Sequence, residues 1–216
     1  MKKWSVLIGF LFILIITAGC SSSFEEERGM PEEVKINAAD IPDEKTKNEI
    51  ISKIKNNTSN DIEDIIEANF PLMDVVQAES SSAKIYATDK FKLNELASVL
   101  TEAVKPEDKS EVKDNQQILI YPNDFVTLKV SPDDSDALII EVAEDEFVRK
   151  NYSPNFLGTY FAIRLLDDVL DVDDWGKRRS RQCKSGGCYG GYSGGAYGTP
   201  SRGDTSYRGG GPGSGK

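Results

Sequence analysis

These 216 residues contain no histidine. That removes the commonest general base and the commonest metal ligand, and it excludes a Ser-His or Cys-His nucleophile. Cysteine is scarce, at positions 20, 183 and 188. A zinc site needs four ligands, and no second pair accompanies Cys183 and Cys188. Positive charge is thin over most of the length. From Ser21 to Trp175 there are 16 Lys and Arg against 35 Asp and Glu, a net of −19. A body so acidic repels a phosphate backbone, which argues against a nucleic-acid partner. A helix crossing a bilayer needs roughly 20 apolar residues. The run from Val6 to Ile16 has 11.

That short run has its own meaning. It follows Lys2 and Lys3 and precedes Thr17-Ala18-Gly19-Cys20, the layout of a signal peptide with small residues at the cleavage point. Residues 1–19 are expected to be that signal. The segment resembles the bacterial lipobox, in which the cysteine thiol accepts a diacylglycerol and becomes the new N-terminus. Ala18, Gly19 and Cys20 match, whereas Thr17 stands where the motif usually has Leu. The resemblance implies lipidation at Cys20 and attachment to the extracytoplasmic face of the bacterial cell membrane. An ordinary secretory signal and an uncleaved anchor are the alternatives. One acyl chain holds a protein marginally and two hold it stably, so a diacylglyceryl cysteine is sufficient.

Residues 20–42, rich in Glu, Ser and Pro, read as a flexible tether. Residues 43–175 read as the globular domain. Ile50, Ile51 and Ile54 are spaced for a helix. Asn60 with Glu63 suggests an N-cap pair opening a short helical turn. Strands are expected at Met73–Glu79, Lys84–Thr88, Gln117–Tyr121, Asp124–Val130 and Ala137–Val142, separated by Ser, Pro, Asn and Asp turns. A helix capped by Asp89 runs from about Phe91 to Val104, with Leu93, Leu96, Ala97, Leu100 and Val104 on one face. Ser153-Pro154 opens another helix, expected to continue to about Val172 and to pack on the sheet. The fold class is α+β: a small, mostly antiparallel sheet of about five strands with helices covering one side.

After Trp175 the composition changes to Gly, Ser, Tyr and Arg. Residues 176–216 carry 8 Lys and Arg against Asp204 alone, a net of +7. They are expected to be a disordered basic tail, unable to bury enough apolar surface to offset ordering entropy. Lys177, Arg178, Arg179 and Arg181 are candidate contacts for an anionic surface, lipid headgroups or cell-wall polymers. Tyr189, Tyr192, Tyr197 and Tyr207 interleave with Gly and Arg, as in RNA-binding tails, but export removes that partner. Cys183 and Cys188 are candidates for a local disulfide in an oxidising compartment, with free thiols or intermolecular pairing as the alternatives.

Other patterns are weaker. Gly210 to Lys216 matches the start of a phosphate-binding loop but lacks the flanking strand, helix and Ser/Thr. Asp171-Val-Asp173-Asp-Trp175-Gly176 resembles the opening of a calcium loop, yet Trp175 and Gln182 stand where ligands are needed. Asp167, Asp168, Asp171, Asp173 and Asp174 remain weak cation-binding candidates beside the plainer reading of a solvated helix end. Arg202-Gly-Asp204 has high chance occurrence in such a tail.

On Asn69-Phe70-Pro71-Leu72, Ile118-Leu119-Ile120-Tyr121 and Glu146-Phe-Val-Arg-Lys-Asn-Tyr152, with the glycine-rich tail after them, the chain resembles a family of small uncharacterised lipoproteins of Gram-positive bacteria carrying a domain of unknown function. The resemblance covers roughly residues 45–175. It implies a surface location and brings no catalytic residues. The expectation is a non-enzymatic binding or scaffold protein of the envelope, without a cofactor and with an unknown protein partner. A subunit of a membrane complex is the alternative, and a carboxylate- or metal-dependent enzyme a further one.

Overall fold

The computed structural model describes residues 36–78, 80–184 and 188–192. Cys20, the segment expected to be a signal, and the motifs at 202–204 and 210–216 lie outside the described residues. Among the described residues there are seven α-helices and six strands: α1 Lys47–Lys55, α2 Ile62–Glu67, β1 Leu72–Gln77, β2 Ser82–Thr88, α3 Leu93–Ala103, β3 Asp108–Lys109, β4 Gln116–Ile120, β5 Asp124–Val130, β6 Leu138–Glu144, α4 Asp145–Asn151, α5 Pro154–Leu157, α6 Ile163–Val169 and α7 Trp175–Cys183. The strands form one antiparallel sheet in the order β1-β2-β6-β5-β4-β3. The α+β reading holds, with one strand more than expected. The extra strand, β3, is a two-residue edge piece inside the charged loop, too short to show a period in sequence.

Both faces of the sheet are covered, not one. Successive side chains of a strand point to opposite faces. On β6, Leu138, Ile140 and Val142 pack with α1, α2 and α3 through Ile50, Ile54, Ile65, Ile66, Leu96 and Leu100. Ile139 and Ala143 face the other way, into Phe147, Tyr152, Leu157, Leu166, Leu170 and Trp175. A strand buried on both sides loses the alternation of a half-exposed one. Leu138-Ile-Ile-Glu-Val-Ala is such a run, and it marks the centre of a three-layer arrangement.

Local signals place the helix ends. Glu49 accepts the Thr46 N–H at 2.9 Å and fixes the start of α1. Asp61, rather than Asn60, caps α2, accepting the Glu63 N–H at 2.9 Å; the helix begins one residue later than the pair suggested. Asp89 does not cap α3. The cap is Lys92, whose N–H is held by Glu95 at 3.1 Å, while Asp89 pairs with Lys90.

The long helix expected at 153–172 is broken. Pro154 starts α5 as expected, but the helix ends at Gly158 and α6 begins only at Ile163. Glycine costs a helix about 1 kcal/mol relative to Ala. The break also lets Leu157, Phe161, Leu166 and Leu170 all reach the core, although they do not lie on one stripe of a straight helix.

The domain extends beyond both sequence-based boundaries. The segment read as tether is docked from Ile36: that side chain is buried, and its carbonyl accepts the Ser131 hydroxyl at 2.7 Å. The Ala38 N–H is held by Asp134 at 2.9 Å. At the other end, residues read as tail form α7, and Cys188, Tyr189 and Tyr192 are buried.

Candidate functional site

Glu141 stands in the middle of β6, 1% exposed. In register it lies beside Ile85 of β2 and Thr127 of β5. Its carboxylate organises the C-terminal segment. One oxygen accepts the Tyr152 hydroxyl at 2.8 Å, and the other accepts the Tyr192 backbone N–H at 3.0 Å. The Tyr189 hydroxyl faces the same group, outside the geometry of a directed hydrogen bond, and still helps to hold its charge. Burial pushes the Glu141 pKa up, and the Tyr192 N–H, Tyr189, Tyr152 and the Lys129 charge oppose that push.

The segment itself is held by an isolated parallel bridge between Tyr152 and Tyr189. Tyr189 N–H donates to the Asn151 carbonyl at 2.8 Å, and Ser153 N–H donates to the Tyr189 carbonyl at 2.7 Å. The Tyr152 and Tyr189 rings meet edge to face at 5.0 Å, with Phe147 5.4 Å from Tyr189. Tyr192 then reaches β1, its hydroxyl donating to Asp74 at 2.9 Å. Gly191 makes this path possible. Its φ is +84°, and a Cβ there would stand 2.8 Å from the Phe156 ring. Cys183 and Cys188 are joined by a disulfide, which ties the strap to α7. The Arg179 guanidinium donates to Cys188 Sγ at 3.2 Å and to the Tyr152 carbonyl at 3.3 Å.

A buried carboxylate engaged by so many donors resembles a catalytic acid on burial alone. Its geometry is that of a clasp: its named partners belong to the protein's own chain, and they fix where residues 188–192 lie.

The second feature is an open groove of about 660 Å³ between α5, α6 and α7, lined by Pro154, Asn155, Ile163, Gly176, Lys177, Ser180 and Arg181. The floor is apolar and the rim is cationic. Gly176 brings the helices together: Ile163 Cγ2 lies 2.7 Å from where a Cβ on that glycine would stand.

The sequence-based candidates divide between these features. Lys177 and Arg181 line the groove. Arg178 turns to the Asp173 carbonyl, and Arg179 is engaged with Tyr152, Gln182 and Cys188. The four basic residues therefore belong to a helix, with Lys177, Arg178 and Arg181 exposed and Arg179 partly buried, and not to a free tail. Asp167, Asp168, Asp171, Asp173 and Asp174 do not converge. Among the described residues no three such side chains are grouped to hold a metal ion. The turns at Asp171 and Asp174, both with positive φ, spread the carboxylates. Asp174 pairs with Lys177 at 2.8 Å, and Asp167 accepts the Gly176 N–H at 3.4 Å. The calcium-loop resemblance also fails at Trp175, which is buried and donates its indole N–H to the Arg149 carbonyl at 2.9 Å.

Sequence reading missed Glu141, Tyr152, Tyr189, Tyr192 and Ile163. One signal was available: a lone acid inside an apolar strand, followed by tyrosines after a proline-opened helix. Among the described residues no helix is long and apolar enough to cross a membrane.

The fold and its clasp define a small α+β domain closed by its own C-terminal strap. The chain belongs to the family described as Domain of unknown function (DUF4247), which matches residues 50–216. That span includes the strap and the glycine-rich end, so the family's domain does not stop at Trp175. A search of curated proteins and one of solved structures each found no match.

Proposed function

We propose that this protein is a membrane-anchored lipoprotein of the bacterial cell envelope, of Gram-positive type, that binds or scaffolds rather than catalyses. The observation that carries this reading is the segment Thr17-Ala18-Gly19-Cys20 directly after an 11-residue apolar run, too short to span a bilayer and suited to a signal. The domain supports it in two ways. Glu141, its most catalytic-looking carboxylate, is committed to holding the chain. The groove at α7 offers a cationic rim on an otherwise acidic body. A disulfide between Cys183 and Cys188 suits an oxidising, extracytoplasmic compartment.

The test is acylation in cells. Cells fed a clickable fatty acid should label the wild-type chain and leave Cys20→Ala unlabelled. The mature wild-type protein should begin at Cys20 by mass spectrometry. Equal labelling of the two, or a mature N-terminus elsewhere, refutes lipid anchoring.

A further inference from the structure

We infer that the groove between α5, α6 and α7 seats the anionic headgroup of a membrane phospholipid, with the start of its acyl chain against Ile163. This rests on the membrane location proposed above and names the ligand of that groove.

The charge pattern is the first argument. Lys177 and Arg181 stand four residues apart, one turn along the same face of a helix, and both are exposed at the groove's rim. Asn155 and Ser180 add neutral donors, and no carboxylate lines the groove. Asp167 accepts the N–H of Gly176 at 3.4 Å, and Asp174 is held by Lys177 at 2.8 Å with both side chains more than half exposed. An exposed pair of this kind is weak and screened by salt, so a phosphodiester can draw Lys177 away from it. The body from Ser21 to Trp175 is repelled by an anionic bilayer at net −19. Helix α7, with Lys177, Arg178 and Arg181 exposed, is a cationic face that the domain can turn to that surface.

The apolar floor is the second argument, and it separates a lipid from a free anion. Ile163 is one of three large hydrophobic residues left exposed among the described residues, at 38%. Its position is enforced, because it lies across Gly176 where a larger residue would not fit. Inorganic phosphate or a soluble sugar phosphate gains nothing from that surface. A phospholipid buries apolar carbon there at about 25 cal/mol per Å² while its phosphate meets Lys177 and Arg181. Each basic residue near an anionic leaflet adds to that attraction.

The experiment uses the full 216-residue chain in nanodiscs of phosphatidylcholine containing a minority of phosphatidylglycerol. A photo-crosslinking benzoylphenylalanine replaces Asn155 at the rim, and in a control chain Ser98, exposed on α3 across the sheet. The apolar run Val6–Ile16 is retained, so incorporation does not depend on lipidation of Cys20. A failed anchor then shows only in the acylation test, and a failed groove only here. Adducts at position 155 should carry the mass of phosphatidylglycerol, enriched over its share of the disc. Their yield should fall roughly tenfold or more in Lys177→Glu/Arg181→Glu and should fall also in Ile163→Asp. These side chains are exposed, and an unchanged melting temperature certifies each variant's fold. Adducts in proportion to disc composition, equal yields at 98 and 155, an adduct to peptide instead of lipid, no adduct at 155, or indifference to the charge reversal would each overturn the proposal.

Discussion

Asp124 opens β5 and is buried, with Asp61, Glu63, Glu144 and Asp145 around it. Burial first, and those negative charges second, push its pKa up to about 7. Glu44 reaches about 7 chiefly through burial, partly offset by the Thr88 hydroxyl and the Asp89 N–H that it accepts at 2.9 and 3.1 Å. A carboxyl whose pKa is raised on folding contributes stability that is fully present below its unfolded pKa and is lost as pH rises through the folded value. For Asp124 and Glu44 that window runs from the ordinary carboxylate range, about 4, to about 7. Glu141 acts in the same direction. The domain should therefore melt at a lower temperature at pH 8 than at pH 5, by on the order of 5 °C. Glu44→Gln combined with Asp124→Asn should flatten most of that slope. A calorimetric series showing higher stability at pH 8, or a slope untouched by the double variant, contradicts the assignment. Residues of this kind were not legible in sequence. The sequence places Asp124 at the start of a strand and carries no sign of its burial or of the Asp61 and Glu63 charges that α2 brings near it.

At the scale of elements, legibility followed the range of the determining forces. Strands β4, β5 and β6 and helix α3 were readable because their apolar spacing is local. The resemblance motifs also read as core once placed: Phe70 meets Phe91 edge to face at 6.1 Å, Ile118–Tyr121 are buried, and Phe147 and Tyr152 border the clasp. The strap was illegible because, the local disulfide and Arg179 aside, the contacts that order it are non-local. Tyr189 and Tyr192 sit among glycines, and nothing nearby in sequence signals a buried glutamate some 50 residues earlier. Helix α7 has the same problem, since Trp175 alone anchors a stretch of Lys, Arg and Gly. The disulfide closes only a short loop, for which chain entropy predicts about 2 kcal/mol. Its larger effect is to keep the strap beside α7. Cys183→Ser with Cys188→Ser should lower the unfolding free energy by about 2 kcal/mol. Hydrogen exchange should quicken first at Tyr189 and Tyr192, before the amides of β5 and β6. Uniform quickening across the sheet would show that the strap is not a separable unit.

The whole molecule joins a lipid-anchored N-terminus, as proposed, to an acidic three-layer domain whose cationic helix lies near the other end of the chain. Composition alone places the change of character at Trp175, and a chain cut there looks like the natural test of a basic tail. The structure makes that cut uninterpretable. It would remove α7, Cys188, Tyr189 and Tyr192, leave the Glu141 carboxylate without its Tyr192 N–H, and open the core beside Phe147 and Tyr152. Leaving a buried acceptor without its donor costs about 1–3 kcal/mol, before the lost ring packing is counted. A chain ending at Trp175 should therefore unfold at much lower denaturant than the full chain. A chain ending at Tyr192 keeps both cores and five of the eight Lys and Arg that follow Gly176. It should match the full chain in midpoint and slope and retain most of its salt-sensitive binding to phosphatidylglycerol vesicles. Urea titrations of the three chains, with vesicle flotation at low and high salt, decide the matter. If the chain ending at Tyr192 lost vesicle binding while remaining folded, the cationic contact would belong to residues 193–216 and not to α7.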